Sequence, residues 1–285
     1  MNNFVTRTLF ALAILAGAGN AVGAGGDIPI ERWPAERARE FSSLQSGARL
    51  FVNYCMGCHS ANLVRWNRLQ QIGLDEKQIK EFLIFGNQKV GDTMRIAMTP
   101  AEAKSWFGKA PPDLSVIVRA RTSFDYRGTD YIYTLLRGYY RDNSTATGWN
   151  NIASPNIGMP HVMWDRQGPR EATLVHTHRH VDPKTRHESY LQTTTVFGAD
   201  GQSTQTVKEL PGAATEGFTY SFKPVDQQQA RAYDADVADL VAFLAFITDP
   251  SRESRIQIGV WVLVFLALFT LLAWRLNSVY WKDIR

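Results

Sequence analysis

Two cysteines occur in the 285 residues, and both fall in the pentapeptide Cys55-Met56-Gly57-Cys58-His59. Two thiols one turn apart can add to the two vinyl groups on one edge of a porphyrin. The next residue is then placed to bring its imidazole to the iron. The spacing predicts covalent attachment of one haem c, with His59 as an axial ligand. Gly57 is expected to leave the backbone free for the tight turn. A thioredoxin-like redox pair would leave His59 unexplained, and a zinc site would need further ligands where no other cysteine exists.

Electron transfer favours a six-coordinate iron, and methionine opposite histidine raises the potential. With Met1 and Met56 set aside, Met94, Met98, Met159 and Met163 remain. Met159 stands in Gly158-Met159-Pro160, where glycine and proline fix an irregular loop. Met98 precedes Thr99-Pro100 in a comparable setting. Core filling is the default role of any one methionine, so the residues alone leave Met159 and Met98 both open. His176, His178 and His180 alternate and share one face of any strand, with His187 nearby. With no carboxylate or cysteine pattern beside them, they read as a solvated strand face or loop rather than a metal site. His161 reads as structural or supporting rather than as a ligand.

These groups need elements to hold them. Phe41, Leu44, Ala48 and Phe51 recur at helical spacing, predicting a helix over 38–54 that delivers the chain to Cys55. Further helices are expected over 75–85, from Pro100 with Thr99 as cap, over 114–120 and 129–137, and over 234–247, where Asp249-Pro250 ends the pattern. Residues 167–222 are rich in Thr, His, Gln and Gly and alternate in places. They read as an irregular or β excursion, a hairpin or a long surface loop.

Apolar segments bracket the chain. Arg7, an apolar run too short to cross a bilayer, and small residues up to Ala24 predict a signal peptide over 1–24. Residues 256–274 are free of charge and long enough for a transmembrane helix, leaving a basic tail over 275–285. The exported N-terminus then puts the domain over 25–250 outside and the tail inside. The formal charge of +4 does not point to an anionic partner, because six basic and two acidic residues lie outside 25–250 and the remainder balances. Nothing supports nucleic-acid binding, and two cysteines give no disulfide framework.

The strings Cys58-His59-Ser60-Ala61-Asn62-Leu63-Val64-Arg65-Trp66-Asn67-Arg68-Leu69, Ala110-Pro111-Pro112-Asp113-Leu114-Ser115, Val118-Arg119-Ala120-Arg121 and Asp130-Tyr131-Ile132-Tyr133-Thr134-Leu135-Leu136-Arg137-Gly138-Tyr139 resemble cytochrome c1. The resemblance runs from about residue 32 to the tail and is weakest over 167–222. It implies a mainly α fold: a class I cytochrome c-like haem domain with insertions, plus one C-terminal transmembrane helix. In that family the methionine ligand follows the Pro-Pro-Asp-Leu-Ser segment in a Gly/Ala-Met loop, a place Met159 fits and Met98 does not. The resemblance also implies that Arg119 pairs with a haem propionate. Pro111 and Pro112 cannot both join a helix and are expected to wall the ring, where a carbonyl could accept the His59 ring N–H. Tyr126 and Tyr131 are candidates to line the pocket, and aromatic core filling explains them equally well.

The implied role is that of a non-catalytic electron-transfer subunit of ubiquinol–cytochrome c reductase. It would take electrons from the Rieske iron–sulfur protein, beside cytochrome b, and pass them to a soluble or tethered cytochrome c. The expected site is a bacterial inner membrane, crossed once, with the haem domain in the periplasm and the tail in the cytoplasm. Two alternatives stand beside it: an anchored cytochrome c of another oxidase or dehydrogenase, and a haem peroxidase or gas sensor with an open iron position.

Overall fold

The structure is a computed structural model describing residues 29–181, 188–211 and 214–282; the expected signal segment and His187 lie outside them. In chain order the first elements are α1 (Phe41–Leu50), β1 (Ala61–Arg65), α2 (Glu76–Phe82), β2 (Thr93–Met94), α3 (Pro100–Phe107) and α4 (Ile117–Ala120). Then come α5 (Gly128–Arg137), β3 (Tyr139–Arg141), β4 (Trp149–Asn151), α6 (Trp164–Gln167) and β5 (Arg170–Val181). The last are β6 (Glu188–Phe197), β7 (Ser203–Leu210), β8 (Gly217–Pro224), α7 (Gln227–Thr248) and α8 (Arg252–Tyr280). The chain forms two compact units, one of residues 34–120 with 235 onward, the other of residues up to 33 with 121–234.

In the first unit, α1 buries Leu44, Gly47, Ala48 and Leu50 and runs on through a π-helical turn, Phe51–Cys55. Its neighbour is α7. The two backbones approach so closely at Gly47 that a Cβ there would lie 2.1 Å from the Asp239 carbonyl oxygen. One turn on, the Phe51 and Phe243 rings meet at 5.4 Å. Asp75 with Gln78, and Thr99 with Glu102, close reciprocal capping boxes that start α2 and α3 where the sequence places them. Helix α4 is shorter than expected, because Leu114 and Ser115 are bonded instead to the main chain around Ser60 and Leu63.

In the second unit, α5 buries Ile132, Tyr133 and Leu136 and leads into the β3–β4 ladder, in which Tyr139 pairs with Asn151. The 167–222 stretch folds into more than a hairpin. It forms a four-stranded antiparallel sheet in the order β7-β6-β5-β8. One face of that sheet sets Leu174, Phe197, Tyr220 and Phe222 against the buried core of Tyr140, Ile152 and Ala172. The Arg170 guanidinium donates to the carbonyls of Arg137 and Tyr139 and lies 3.6 Å from the Phe222 ring centroid. A cation is thereby set at the C-terminal end of α5, where the helix dipole favours it.

Helix α8 is exposed along its length. Residues Ser254–Tyr280, 27 in all, are apolar enough to cross a membrane and none is buried. The helix extends past the expected 256–274 at both ends.

Candidate haem site

The π-helical turn delivers Cys55 to the site with its carbonyl facing along the chain. That oxygen accepts the N–H groups of Cys58 at 3.0 Å and His59 at 2.9 Å, which folds the pentapeptide into one tight turn. The two cysteines are not joined in a disulfide; Cys55 is buried and Cys58 partly so. Burial, with Cys58 adding to it, pushes the Cys55 thiol up to about 12. Gly57 does not play the expected part. Its φ is not positive and a Cβ there would meet nothing, so the turn needs no glycine.

His59 is 9% exposed. Its Nδ1 lies 2.7 Å from the carbonyl oxygen of Pro112. A carbonyl can only accept, so Nδ1 carries the proton and donates, which leaves the Nε2 lone pair as the ligating one. Burial lowers the ring's pKa against the opposing pulls of the Pro112 carbonyl and Asp113. A neutral imidazole is the form that binds metal.

The Pro112 carbonyl is itself held. Asp113 accepts the N–H of Asn62 at 2.8 Å through one oxygen and that of Ser115 at 2.9 Å through the other. Leu63 N–H donates to the Ser115 hydroxyl at 3.0 Å, and Leu114 N–H to the Ser60 carbonyl at 2.8 Å. The extended Pro111–Pro112 segment is thus clamped to the residues just beyond His59. Two thiols in one turn and an imidazole with its inner nitrogen already committed are the donor set a haem c requires. The reading from sequence missed Asp113 and Ser115. The Asp-x-Ser pattern, which makes a side-chain turn of this kind, was the available signal.

Of the remaining candidates, Arg119 belongs to the same unit as His59. Its side chain is 71% exposed and lies 3.5 Å from Asp249. Met159 belongs to the other unit, half-buried in the irregular loop between β4 and α6. Its carbonyl accepts the Tyr139 hydroxyl at 3.1 Å. Met94 and Met163 are fully buried and fill cores, and Met98 sits in the loop before α3. His161 is a core histidine, its ring stacked on Tyr139 at 4.5 Å and met edge-on by Trp149 at 4.9 Å. Burial first, then Arg170, push its pKa down to about 3 against the Gln167 amide. Tyr126 and Tyr131 stack on one another at 5.6 Å. His176 and His178 stack at 5.4 Å on β5, and among the described residues no group of three or more potential ligands could hold a metal ion.

Comparison with known proteins agrees with this geometry. The profile of the Cytochrome C1 family matches residues 37–171, which contain the pentapeptide, the proline segment and Met159. A protein of Nitrosomonas europaea named ammonia monooxygenase gamma subunit is 37% identical over 96% of each chain. Cytochrome c1 of Allochromatium vinosum is 35% identical over 86% of each, and cytochrome c1 of Rhodospirillum rubrum 25% identical over the whole of both. Haem-attachment chemistry, a mainly helical haem unit, an apolar C-terminal helix and these likenesses converge: the chain belongs to the cytochrome c1 family, membrane-anchored electron-transfer subunits that carry one covalently attached haem c.

Proposed function

We propose that this chain relays electrons within ubiquinol–cytochrome c reductase, beside cytochrome b, from a Rieske iron–sulfur protein to a soluble or tethered cytochrome c. The observation that carries the reading is the His59 Nδ1 to Pro112 carbonyl contact in the turn that holds Cys55 and Cys58. Haem, when bound, supplies an iron that takes up and releases one electron. Everything else is the work of the chain. Cys55 and Cys58 tether through thioethers, and His59 ligates through Nε2 in an orientation set by Pro112. Met159 would provide a second protein ligand to the iron, by the family pattern of its Gly-Met-Pro loop. Arg119, exposed and only loosely held by Asp249, is available to pair with a propionate. No substrate bond is broken here, so the protein contributes ligation, burial and docking surface.

The domain assignments proposed alongside are a signal over 1–24, an exported haem domain over 25–250, the anchor, and a cytoplasmic tail, placing the haem on the periplasmic side of a bacterial inner membrane. Purification in mild detergent tests the reading. The expected result is a chain heavier than its polypeptide by one haem, co-purifying with a multi-haem-b membrane subunit and a Rieske protein. Association with monooxygenase subunits instead, as the name of the Nitrosomonas relative would suggest, would sink the reductase assignment. A bare polypeptide mass with both thiols open to alkylation would sink the haem as well.

A further inference from the structure

The loop between β4 and α6 is shaped by side chains standing in for main chain. Asn150 Oδ1 accepts the N–H groups of Asn151 and Asn156, each at 2.8 Å. Asn151 Oδ1 accepts those of Ala153 at 2.9 Å and Ser154 at 3.2 Å. The two amide nitrogens are committed too: Asn150 Nδ2 donates to the buried Asp142 carboxylate at 2.8 Å, and Asn151 Nδ2 to the Leu135 carbonyl at 2.7 Å, near the end of α5. Carboxylate and carbonyl oxygens only accept, which fixes the orientation of both amides. Asn156 takes a left-handed φ of 57°, tolerable for asparagine and stable only where neighbours enforce it.

The far end of the loop is pinned by one residue in two ways. Tyr139 is 0% exposed; its hydroxyl donates to the Met159 carbonyl at 3.1 Å while its ring face stacks on His161 at 4.5 Å and 6°. Met159 and His161 therefore both rest on the side chain of a residue that is itself part of the β3–β4 ladder. A thioether is a weak, neutral ligand, so its hold on iron depends on how much of the loop's ordering entropy is already lost before ligation. The main chain at Met159 makes no ladder bond that could do this.

We propose that Tyr139, Asn150 and Asn151 are positioning residues: they pre-form the loop that presents the Met159 thioether and so set the haem potential through that ligand. The proposal rests on Met159 being the second axial ligand. Tyr139→Phe removes the hydroxyl and keeps the stacking ring, so the fold is expected to survive. In the full-length protein, the fraction of reduced haem that binds carbon monoxide should rise roughly fivefold, the effect of one lost hydrogen bond on the loop's open–closed balance. The sulfur–iron charge-transfer band of the oxidised protein should weaken and the midpoint potential should fall.

Tyr140→Phe serves as the control, since Tyr140 is the next residue of the same strand and also buried, but its ring packs on Phe197 and not on His161. Equal effects from both variants, or none from Tyr139→Phe, overturn the proposal. Met159→Leu separates the two ideas. If it opens the iron to carbon monoxide while Tyr139→Phe is silent, the positioning proposal falls alone. If Met159→Leu changes neither gas binding nor spectrum, Met159 is not the ligand and both fall.

Discussion

At the scale of single residues, Pro112 has no side-chain donor or acceptor and acts on His59 only through its carbonyl, so the ligand's tautomer is chosen by main-chain position. That position is enforced by Asp113, whose two oxygens tie the proline segment to Asn62 and to Ser115. Asp113→Ala is expected to cost about 1 kcal/mol of stability, a modest figure because the carboxylate stands at the surface. The midpoint potential should rise as the Pro112 carbonyl drifts from Nδ1, because a less basic imidazole stabilises the oxidised iron less. Asp113→Asn should restore most of both, since an amide oxygen also accepts. Thermal unfolding and redox titration of the detergent-solubilised protein read the two effects separately. An alanine variant with an unaltered potential would uncouple the clamp from ligand orientation.

At the scale of elements, the crossing of α1 and α7 sets the direction in which the chain enters the haem turn. Asp239 oxygen and Phe243 Cβ stand 2.1 Å and 2.7 Å from where a Gly47 Cβ would be, and both belong to a helix that cannot yield locally. Gly47→Ala should therefore destabilise the protein by about 2–3 kcal/mol, with less haem incorporated because Cys55 lies within the same helical run. Gly57→Ala, in open space, should change stability by under about 0.5 kcal/mol. Unfolding midpoints and haem content per chain decide both; a harmless alanine at Gly47 would show that the helices slide apart freely.

The contrast between the two glycines marks what the sequence can disclose. Gly57 drew notice because it lies inside a motif, yet the need for glycine arises at Gly47, from a helix almost two hundred residues further on. Local signals fared well: Thr99 caps where expected, the helix expected from Asp75 begins one residue on with Asp75 as its cap, and the apolar rhythm of Phe41, Leu44 and Ala48 gave α1. The sheet was only half legible, because β7 is exposed along nearly its whole length with Val207 and Leu210 its only apolar residues, and its register comes from pairing with β6 rather than from a buried face. The roles of Asn150 and Asn151 were invisible for a related reason. Apart from the Asp142 carboxylate, their partners are main-chain groups, which no residue type announces.

At the scale of the whole molecule, the remaining question is which side of the membrane each end occupies, and the charges at the two ends of α8 argue it. Twenty-seven residues rise about 40 Å, more than the roughly 30 Å of hydrocarbon, so the ends reach into both interfaces. On the side nearer the haem unit stand Arg252 and Arg255. The Arg255 guanidinium is held by both oxygens of Asp249, at 2.8 Å and 2.7 Å, and Asp249 is kept below the usual carboxylate range chiefly by that pairing. One of the two cations on that flank is thus balanced by a fixed anion. In the last turns of α8 and beyond it come Arg275, Lys282 and Arg285. Lysine and arginine within a short distance of a membrane helix favour the cytoplasmic side, and the apolar segment after Arg7 favours export of the domain behind it. The export signal carries most of the proposed orientation, and the charge bias, diluted by Arg252, points the same way. A green fluorescent protein fused after Arg285 should therefore fluoresce, and alkaline phosphatase fused at the same point should stay inactive, because the one folds only in the cytoplasm and the other only outside it. Active phosphatase with a dark fluorescent fusion would place the tail outside, and the haem unit would then lie on the wrong face to meet an exported electron acceptor.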